Sequence, residues 1–494
     1  MRYITTPIYY VNANPHIGHA YTQIAADVYS RYHRLMGRQV YFLTGTDEHG
    51  EKIARAAAEQ GKTPKEFVDM GAENFKMLWK THNIENDQFV RTTDPEHKES
   101  VKEIVRRLIS GGYVYKGVYE GLYCVSCETY FTETQVEEKL CPDCGKNLEK
   151  LGQESYFFKL SAFSEKLIKH IEENPQFIMP KSIRNEIIGF LQQELIDLSI
   201  SRQDVSWGVS FPADDSHTVY VWFDALINYI SAIGYPHDMA RFGEVWPAKI
   251  HLIGKDILKF HAVIWPAMLM ALDLKLPETV YAHGWWMIEG GKMSKTAGNS
   301  VDPLELIEEW GIDPFRYFLM RQVCFGEDGN YSLEQFISRY ESDLANDLGN
   351  LLSRVVSMLI KYQPEYDLSD SLELESKLKE LATELDALYD DMKFNLILEK
   401  IWELVREANV YVESSAPWRL AKEDPATLNL VMTNLYETLS ALAWFIYPFM
   451  PETSQRMNKD LGLSKDYESG EFSWPSGGDF SGVSKGAVLF PKKQ

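Results

Sequence analysis

Apolar and polar residues follow a strand–helix–strand pattern at the start of the chain. Residues 3–6 are aromatic and β-branched, which predicts a short strand. A helix is predicted next, because apolar side chains recur on one face as far as Gly37, at Ile24, Val28, Tyr32 and Leu35. Residues 39–44 are almost continuously apolar, as in a strand covered on both faces. This order predicts a βαβ unit and therefore a parallel sheet.

The strand pattern returns later in the chain, and long helices follow it. Three further apolar runs predict strands, at residues 219–223, 249–253 and 280–283. Beyond Pro314 the apolar positions repeat at helical spacing as far as about residue 462. Residues 396–412 and 428–447 are typical of the long helices that build a bundle.

These patterns predict an α/β fold in four parts. Residues 1–112 and 219–340 form the two halves of a Rossmann-like parallel-sheet domain. Residues 113–218 form an insertion, because short β-like segments and turns interrupt the sheet pattern there. Residues 341–494 form an all-α helical bundle with an irregular closing segment.

Composition and charge narrow the class of protein. The chain has 494 residues, of which 45% are hydrophobic and 25% charged, and this excludes a mainly disordered or collagen-like chain. The net charge of −22 argues against indiscriminate coating of nucleic acid but allows a local basic face. The N-terminal residues lack the apolar core of a secretory leader, and the apolar run 262–272 is shorter than the ~20 residues of a membrane span. We therefore expect a cytoplasmic protein that contacts no membrane.

Two distant motifs have the chemistry of a polyphosphate site. His16, Gly18 and His19 lie where the first loop enters the first helix, and a helix N-terminus binds phosphate through its N–H groups. Gly18 leaves room for a nucleotide beside the backbone. Lys292 and Lys295 lie in a glycine-flanked loop that can bring ammonium groups onto a phosphate chain. Either motif alone is a weak signal, because polar residues often decorate helix starts and loops.

Four of the five cysteines form two C-x-x-C pairs. The pairs are Cys124 with Cys127 and Cys141 with Cys144, and their spacing is typical of a tetrahedral thiolate site for zinc. Four cysteine ligands leave no open position for water, so we predict one structural Zn²⁺. A redox role is disfavoured, because a thioredoxin-like C-x-x-C pair is solitary.

Together, the H-x-G-H motif at residues 16–19 and the K-M-S-K-T motif at residues 292–296 resemble those of the class I aminoacyl-tRNA synthetases. The second motif ends in Thr296 where the family usually has Ser, and the hydroxyl is kept. No G-x-G-x-x-G follows the first strand and no G-x-x-x-x-G-K-[ST] occurs, which disfavours a dinucleotide oxidoreductase and a P-loop enzyme.

Four segments resemble the methionine-specific members of this class more closely: residues 6–12, 44–50, 221–229 and 282–285. This resemblance implies that Asp47 holds the ammonium group of the amino acid. It also implies a pocket for the methionine side chain, lined by Ile8, Tyr10, Trp222, Ala225, Tyr229 and His283. Aromatic walls suit a polarizable thioether. The family places the ATP ribose at Gly254 and Asp256.

The resemblance assigns the helical domain to the tRNA anticodon. Asn350 and Arg354 share a helix face, and amide and guanidinium groups can read unpaired bases. Trp418 follows a proline and can stack on a splayed base. The implied anticodon is CAU. Each of these residues also has an ordinary structural interpretation, as a surface pair or a helix anchor.

The expected function is methionine–tRNA ligation in translation initiation and elongation. L-Methionine reacts with ATP, accompanied by Mg²⁺, to give methionyl-adenylate, and methionine then passes to the 3′-terminal adenosine of tRNA. We expect catalysis without a covalent enzyme intermediate, by His16, His19, Lys292 and Lys295, in a monomer. Two alternatives stay open at this point. One is a synthetase for leucine, isoleucine or valine, which generally has a larger editing insertion; the other is a zinc-stapled RNA-binding protein without catalysis.

Overall fold

The computed structural model describes most of the chain, in two compact units. The described residues are 1–12, 16–124, 129–131, 136, 140–142, 145–193, 195–203, 205–288, 291–292, 303–369, 374–464, 467, 474–475, 477 and 479–493. The first unit comprises residues 1–15 and 41–283, and the second comprises residues 16–40 and 284–494.

Four of the strands have eight or more residues, and the others are short. In chain order they are β1 (Arg2–Tyr10), β2 (Val40–Asp47), β3 (Gln88–Arg91), β4 (Val114–Cys124), β5 (Thr129–Phe131), β6 (Glu149–Phe158), β7 (Ile178–Met179), β8 (Leu198–Ser199), β9 (Ser201–Arg202), β10 (Thr218–Val219), β11 (Ile250–Gly254), β12 (Thr279–His283), β13 (Trp286–Ile288), β14 (Gly291–Lys292) and β15 (Gly329–Tyr331).

The helices dominate the second half of the chain. They are α1 (Ile17–Leu35), α2 (Glu51–Glu59), α3 (Pro64–Thr81), α4 (Pro95–Ser110), α5 (Ser164–Glu173), α6 (Lys181–Leu191), α7 (Val221–Leu226), α8 (Asn228–Ser231), α9 (Met239–Val245), α10 (Trp265–Ala271), α11 (Pro303–Trp310), α12 (Ile312–Gln322), α13 (Leu333–Arg339), α14 (Asn350–Tyr362), α15 (Glu375–Asp390), α16 (Phe394–Ser415), α17 (Pro417–Glu423), α18 (Pro425–Ile446) and α19 (Pro451–Asp460). Short 3₁₀ turns lie at Leu160–Phe163 and Lys255–Ile257, and π-helical segments at Phe260–Ile264 and Tyr340–Gly349.

A six-stranded sheet forms the centre of the first unit. Its strand order is β3-β2-β1-β11-β12-β7, and the β1–β11, β11–β12, β12–β7 and β2–β3 pairs are parallel. β1 and β2 also run in parallel, since Tyr3 packs against Tyr41 and Thr6 bonds to Thr44 at the same sequence offset. The strand order reverses between β1 and β11. In open parallel sheets, ligands bind beyond the carboxyl ends of the strands at such a reversal.

The insertion of the first unit has an antiparallel sheet of its own. The order is β5-β4-β6-β8, and the long β4–β6 ladder runs from the Val114–Phe158 pair to the Tyr123–Glu149 pair. Phe158 and Phe163 extend the core of the first unit under this sheet. This antiparallel sheet falls within the predicted insertion 113–218, but the same range contains β7 of the six-stranded sheet, so the bounds of the insertion stay a prediction.

The second unit is built mainly of helices around buried apolar faces. α1 contacts α12 and α15 there, so the first helix of the chain belongs to this unit. Within it, Asp27 of α1 accepts hydrogen bonds from Arg31 and Arg316, each at 2.6 Å, and all three side chains are buried. A buried charge needs such partners to offset its loss of hydration. The predicted helical bundle is confirmed, with α16 and α18 as its longest helices.

One predicted strand is wrong. Residues 219–223 end the two-residue strand β10 at Val219 and then enter helix α7 at Val221. Nearly every side chain of α7 is buried, so its sequence shows a continuous apolar run instead of a helical period. The other predicted strands are confirmed as β1, β2, β11 and β12. In the described part of the chain, every helix falls short of the length and apolarity that crossing a membrane requires.

Candidate active site

The predicted ligand-binding residues of the first unit lie at one edge of the central sheet. Tyr10, Asp47, Gly254 and His283 are the last residues of β1, β2, β11 and β12, which are neighbours in the sheet. Parallel strands bring their carboxyl ends to the same edge, and the strand order reverses in the middle of this group. These four residues therefore lie at the position where this class of sheet binds ligands.

Aromatic side chains form one wall of this site. The Tyr10 ring meets Trp222 edge-on at 6.1 Å between centroids, and Trp222 stacks on Phe260 at 4.0 Å. Helix α7 carries both Trp222 and Ala225. Sequence analysis missed Phe260, because it lies in an apolar helical run with nothing to distinguish it from core residues. The stack on Trp222 is visible only in three dimensions.

Tyr229 is held by a second residue that sequence analysis missed. Its hydroxyl lies 2.7 Å from Nε2 of His261, and Nδ1 of His261 lies 3.0 Å from the Ile257 carbonyl. The carbonyl can only accept, so Nδ1 carries the proton and the Tyr229 hydroxyl donates to Nε2. Burial lowers the pKa of His261 to about 4 and raises the pKa of Tyr229. Both side chains are therefore uncharged at neutral pH.

Hydrogen bonds fix the two residues that follow Asp47. The neighbouring Glu48 accepts two hydrogen bonds from Arg91, at 2.7 and 2.9 Å, and a third from Thr46. His49 bonds through Nδ1 to Asp224 at 2.7 Å. Asp47 itself is 2% exposed. Its carboxylate therefore has a defined position within a tightly bonded turn.

Gly254 ends β11 directly beneath the side chain of Asp256. A Cβ atom at this position would lie 2.7 Å from Oδ1 of Asp256 and 3.8 Å from Cε1 of His283. The Asp256 carboxylate therefore folds back over the glycine, and His283 lies beside the same turn. This geometry places His283 next to the residues predicted for the ribose, and its role in the methionine pocket stays a prediction.

The two histidines of the H-x-G-H motif begin α1 in the second unit. His16 is the N-cap residue, and its Nδ1 accepts from the Gly18 N–H at 3.1 Å. The His16 N–H is 3.3 Å from Nδ1 of His19, and the two rings stack at 3.8 Å. Because both Nδ1 atoms accept, the proton of each neutral ring is on Nε2. These Nε2–H groups are donors suited to phosphate oxygen.

The K-M-S-K-T motif is described only at its first residue. Lys292 ends β14, which pairs with β13 in an antiparallel hairpin of the second unit. Lys295 lies outside the described residues, and so does the side chain of Lys292. Their predicted contacts with phosphate stay a prediction.

Two of the four predicted zinc ligands are described. Cys124 and Cys141 are buried in one small cluster with Leu122 and Leu148. Cys124 pairs with Thr129 in the β4–β5 ladder, and the Cys141 N–H donates to the Lys146 carbonyl at 2.8 Å. Cys127 and Cys144 lie outside the described residues.

The residues predicted for tRNA lie on neighbouring helices of the second unit. Asn350 begins α14, and Arg354 one turn later pairs with Glu413 of α16 at 2.6 Å. α16 ends at Ser415, and Ala416 takes a left-handed conformation with φ 47° before α17 begins. This turn presents Trp418 at the start of α17, where its side chain is 43% exposed.

Comparison with known proteins agrees with this geometry over nearly the whole chain. Residues 2–153 and 146–356 match the sequence profile of the "tRNA synthetases class I (M)" family, and residues 371–481 match the "Anticodon-binding domain of tRNA ligase". The methionine–tRNA ligase of Caldanaerobacter subterraneus subsp. tengcongensis is 48% identical, over 99% of this chain and 78% of its own length. That of Rickettsia felis is 44% identical, over 94% of this chain and 92% of its own length.

A solved structure has the same fold. The methionyl-tRNA synthetase of Mycobacterium tuberculosis in complex with methionyl-adenylate has a TM-score of 0.93 and 39% identity to this chain, and the match covers 99% of both chains. The parallel-sheet domain followed by a helical anticodon domain is thus shared by the two proteins. The chain belongs to the methionine–tRNA ligases, within the class I aminoacyl-tRNA synthetases.

Proposed function

We propose that this chain joins methionine to tRNA with the residues assigned below. As a methionine–tRNA ligase, it uses ATP to convert methionine into methionyl-adenylate and pyrophosphate, and then transfers methionine to the 3′-terminal adenosine of tRNA. Mg²⁺ accompanies ATP and neutralises part of the phosphate charge. The proposal for the site is carried by one observation: the assigned residues of four neighbouring strands meet at the strand-order reversal of the sheet.

The amino acid lies between Asp47 and the aromatic wall in this proposal. The buried carboxylate of Asp47 holds the ammonium group, and a charge-assisted hydrogen bond of this kind is strong in a dry site. Ile8, Tyr10, Trp222, Ala225, Tyr229 and His283 surround the thioether side chain. Sulfur gains about 0.3–1.5 kcal/mol from each aromatic contact of good geometry. Phe260 and His261 support this wall from behind.

Activation of methionine requires displacement at the α-phosphorus of ATP. A carboxylate oxygen of methionine forms the new bond to phosphorus, and the bond to the pyrophosphate oxygen breaks. The charge that develops on the phosphate oxygens is stabilised by the Nε2–H groups of His16 and His19 and by the ammonium groups of Lys292 and Lys295. Asp256 accepts from a ribose hydroxyl at the Gly254 turn. No enzyme nucleophile takes part, so catalysis consists of alignment and electrostatic stabilisation.

The two cysteine pairs hold one structural zinc ion in this proposal. The described half of the site fits that role, because Cys124 and Cys141, one from each C-x-x-C pair, are buried in the same cluster. Four cysteine thiolates make the tetrahedral ligand set of a structural zinc site. Zinc would stabilise this end of the antiparallel insertion, where the described residues form a small apolar cluster.

The helical domain recognises the tRNA. Asn350 and Arg354 read unpaired bases of a CAU anticodon, and Trp418 stacks on one of them. The proposed divisions are 1–112 and 219–340 for the catalytic domain, 113–218 for the insertion and 341–494 for the anticodon domain. We further propose that the protein acts as a monomer in the cytoplasm.

ATP–pyrophosphate exchange measured across the amino acids tests this function. We expect exchange with methionine and little with leucine, isoleucine or valine. An extra or missing methylene is worth only ~1–3 kcal/mol, so exchange with these homologues is reduced without being abolished. Asp47→Asn should raise the methionine KM and leave the ATP KM unchanged. Exchange that prefers leucine, or an unchanged methionine KM in Asp47→Asn, would overturn the proposed site.

A further inference from the structure

We propose that His97 and Asp224 are positioning residues for methionine. They act through His49, which Asp224 bonds, and they fix the spacing between Asp47 and the aromatic wall. This inference rests on the proposed function, because it takes methionine to lie between Asp47 and Trp222. Neither His97 nor Asp224 was singled out by its sequence pattern.

The two residues belong to a continuous chain of buried hydrogen bonds in the first unit. Oδ2 of Asp224 lies 2.7 Å from Nδ1 of His49, and Oδ1 lies 2.9 Å from Nε2 of His97. Nδ1 of His97 in turn lies 2.8 Å from the hydroxyl of Ser231. All four side chains are at most 9% exposed. Hydrogen bonds in such surroundings are stronger than in water, and a broken one is costly.

Two neighbouring members of this chain, His49 and Asp224, belong to different parts of the proposed methionine site. His49 follows Asp47 by two residues in the turn after β2. Asp224 lies on α7 between Trp222 and Ala225, which belong to the side-chain pocket. The Asp224–His49 pair is therefore the bridge that sets how far the ammonium-binding carboxylate lies from the pocket wall. A displacement of about 1 Å in such a site can cost 10²-fold in rate.

His97 bonds the other carboxylate oxygen of Asp224. It lies on α4, and without it one carboxylate oxygen of Asp224 would lose its buried donor. Burial by itself raises the pKa of the Asp224 carboxyl, but the imidazoles of His49 and His97 outweigh it and lower this pKa to about 2. The carboxylate is thus charged at neutral pH and needs both donors.

His97 also lines a cavity of about 620 Å³, together with Ser231 and Arg241. Water can therefore fill the space that a shorter side chain at position 97 would leave, so the loss of packing in such a variant is small. This makes two variants of nearly equal size informative. The longer amide of His97→Gln can place its nitrogen where Nε2 of the imidazole lies and keep the bond to Asp224. The shorter amide of His97→Asn reaches only toward Ser231.

The experiment compares His97→Asn with His97→Gln in ATP–pyrophosphate exchange by the full chain. Groups that orient a ligand-binding residue typically contribute about 10- to 100-fold. We expect His97→Asn to raise the methionine KM at least about 10-fold, with the ATP KM within about twofold of the wild type. His97→Gln should restore most of the methionine affinity. If His97→Asn does not fold, Ser231→Ala loosens the same chain from its outer end and should raise the methionine KM alone.

A matched control lies in the insertion of the same unit. His217 is buried and pairs with Asp214 at 3.3 Å, and its two variants, His217→Asn and His217→Gln, should leave the methionine KM unchanged. Equal rises in both KM values in His97→Asn, or no recovery in His97→Gln, would overturn the positioning role. Asp47→Asn distinguishes a failure of the positioning role from a failure of the proposed methionine site. If it raises the methionine KM while His97→Asn does not, only the positioning role fails; if it has no effect, the proposed site fails as well.

Discussion

Removal of the Trp418 indole should separate tRNA recognition from methionine activation. The side chain lies at the start of α17, directly after the buried Pro417, and is 43% exposed. Within the part of the chain that the structure describes, the indole makes no hydrogen bond and no ring contact. More than half of the indole is nevertheless covered, so Trp418→Ala should lower the stability of the helical unit by about 1–2 kcal/mol and leave the methionine site unchanged.

The size of the functional effect follows from stacking. An aromatic side chain that stacks on a splayed base contributes about 1–3 kcal/mol, which corresponds to a loss of about 5- to 150-fold in tRNA affinity. The exposed face of Trp418 is large enough for one base, so we expect a loss within this range and not beyond it. Trp418→Phe keeps a ring in the same place and should recover part of the affinity.

Two assays on the same preparations measure the prediction. The first is kcat/KM for tRNA aminoacylation, which should fall in Trp418→Ala, and the second is ATP–pyrophosphate exchange without tRNA, which should not change. Val410→Ala is the control, because Val410 is 66% exposed on the preceding helix α16 and has no assigned role. A parallel loss in both assays would show that the indole supports the fold, and the assignment to the anticodon would then be wrong.

Three further predictions concern catalysis, pH and metal. Lys295→Ala should slow adenylate formation by orders of magnitude at an almost unchanged methionine affinity; exchange at the wild-type rate would refute the phosphate role. Burial raises the pKa of Asp313 to about 6, so the folded state binds its proton more tightly than the unfolded state and loses stability as pH rises from about 4 to 6. Asp313→Asn should thus gain free energy of unfolding relative to the wild type, by on the order of 2 kcal/mol more at about pH 7.5 than at about pH 4.5, measured by denaturant titration. Cys141→Ala should remove the zinc detected by elemental analysis, whereas Cys324→Ala should keep it; equal zinc in both would exclude the thiolate site.

The sheet could be predicted from sequence because its strands are covered on both faces. Three runs are apolar almost without interruption and form β2, β11 and β12: residues 39–44, 249–253 and 280–283. The same signal failed at residues 219–223, since α7 is also buried on nearly all sides. A continuous apolar run therefore reports burial, and only its length and neighbours distinguish a strand from a helix.

The bonds that organise the candidate site could not be predicted from one sequence. Asp224 is 175 residues from His49 and 127 residues from His97, and no local pattern connects such positions. His261 and Phe260 lie in a π-helical segment, where the helical repeat that guides sequence analysis shifts. In contrast, the ends of β11 and β12 could be predicted to within one residue, because each strand is a single apolar run. β1 and β2 extend to Tyr10 and Asp47, beyond the predicted residues 3–6 and 39–44.

The charges around the proposed pocket explain why it suits methionine. His261 is neutral, since burial holds its pKa near 4, and burial keeps the Tyr229 hydroxyl protonated. Glu48, which is also buried, is neutralised by Arg91. Asp224 of α7 is charged but already bonded to His49 and His97. Among the described residues, this wall therefore offers no available countercharge to a substrate side chain, and an amino acid such as lysine would have to bury its ammonium group unpaired, at a cost of several kcal/mol. Against leucine or isoleucine the same wall has only shape and sulfur contacts, worth about 1–3 kcal/mol. Rejection should therefore be nearly complete for charged amino acids and partial for apolar ones, with the methionine preference depending on how rigidly Trp222 and Tyr229 are held.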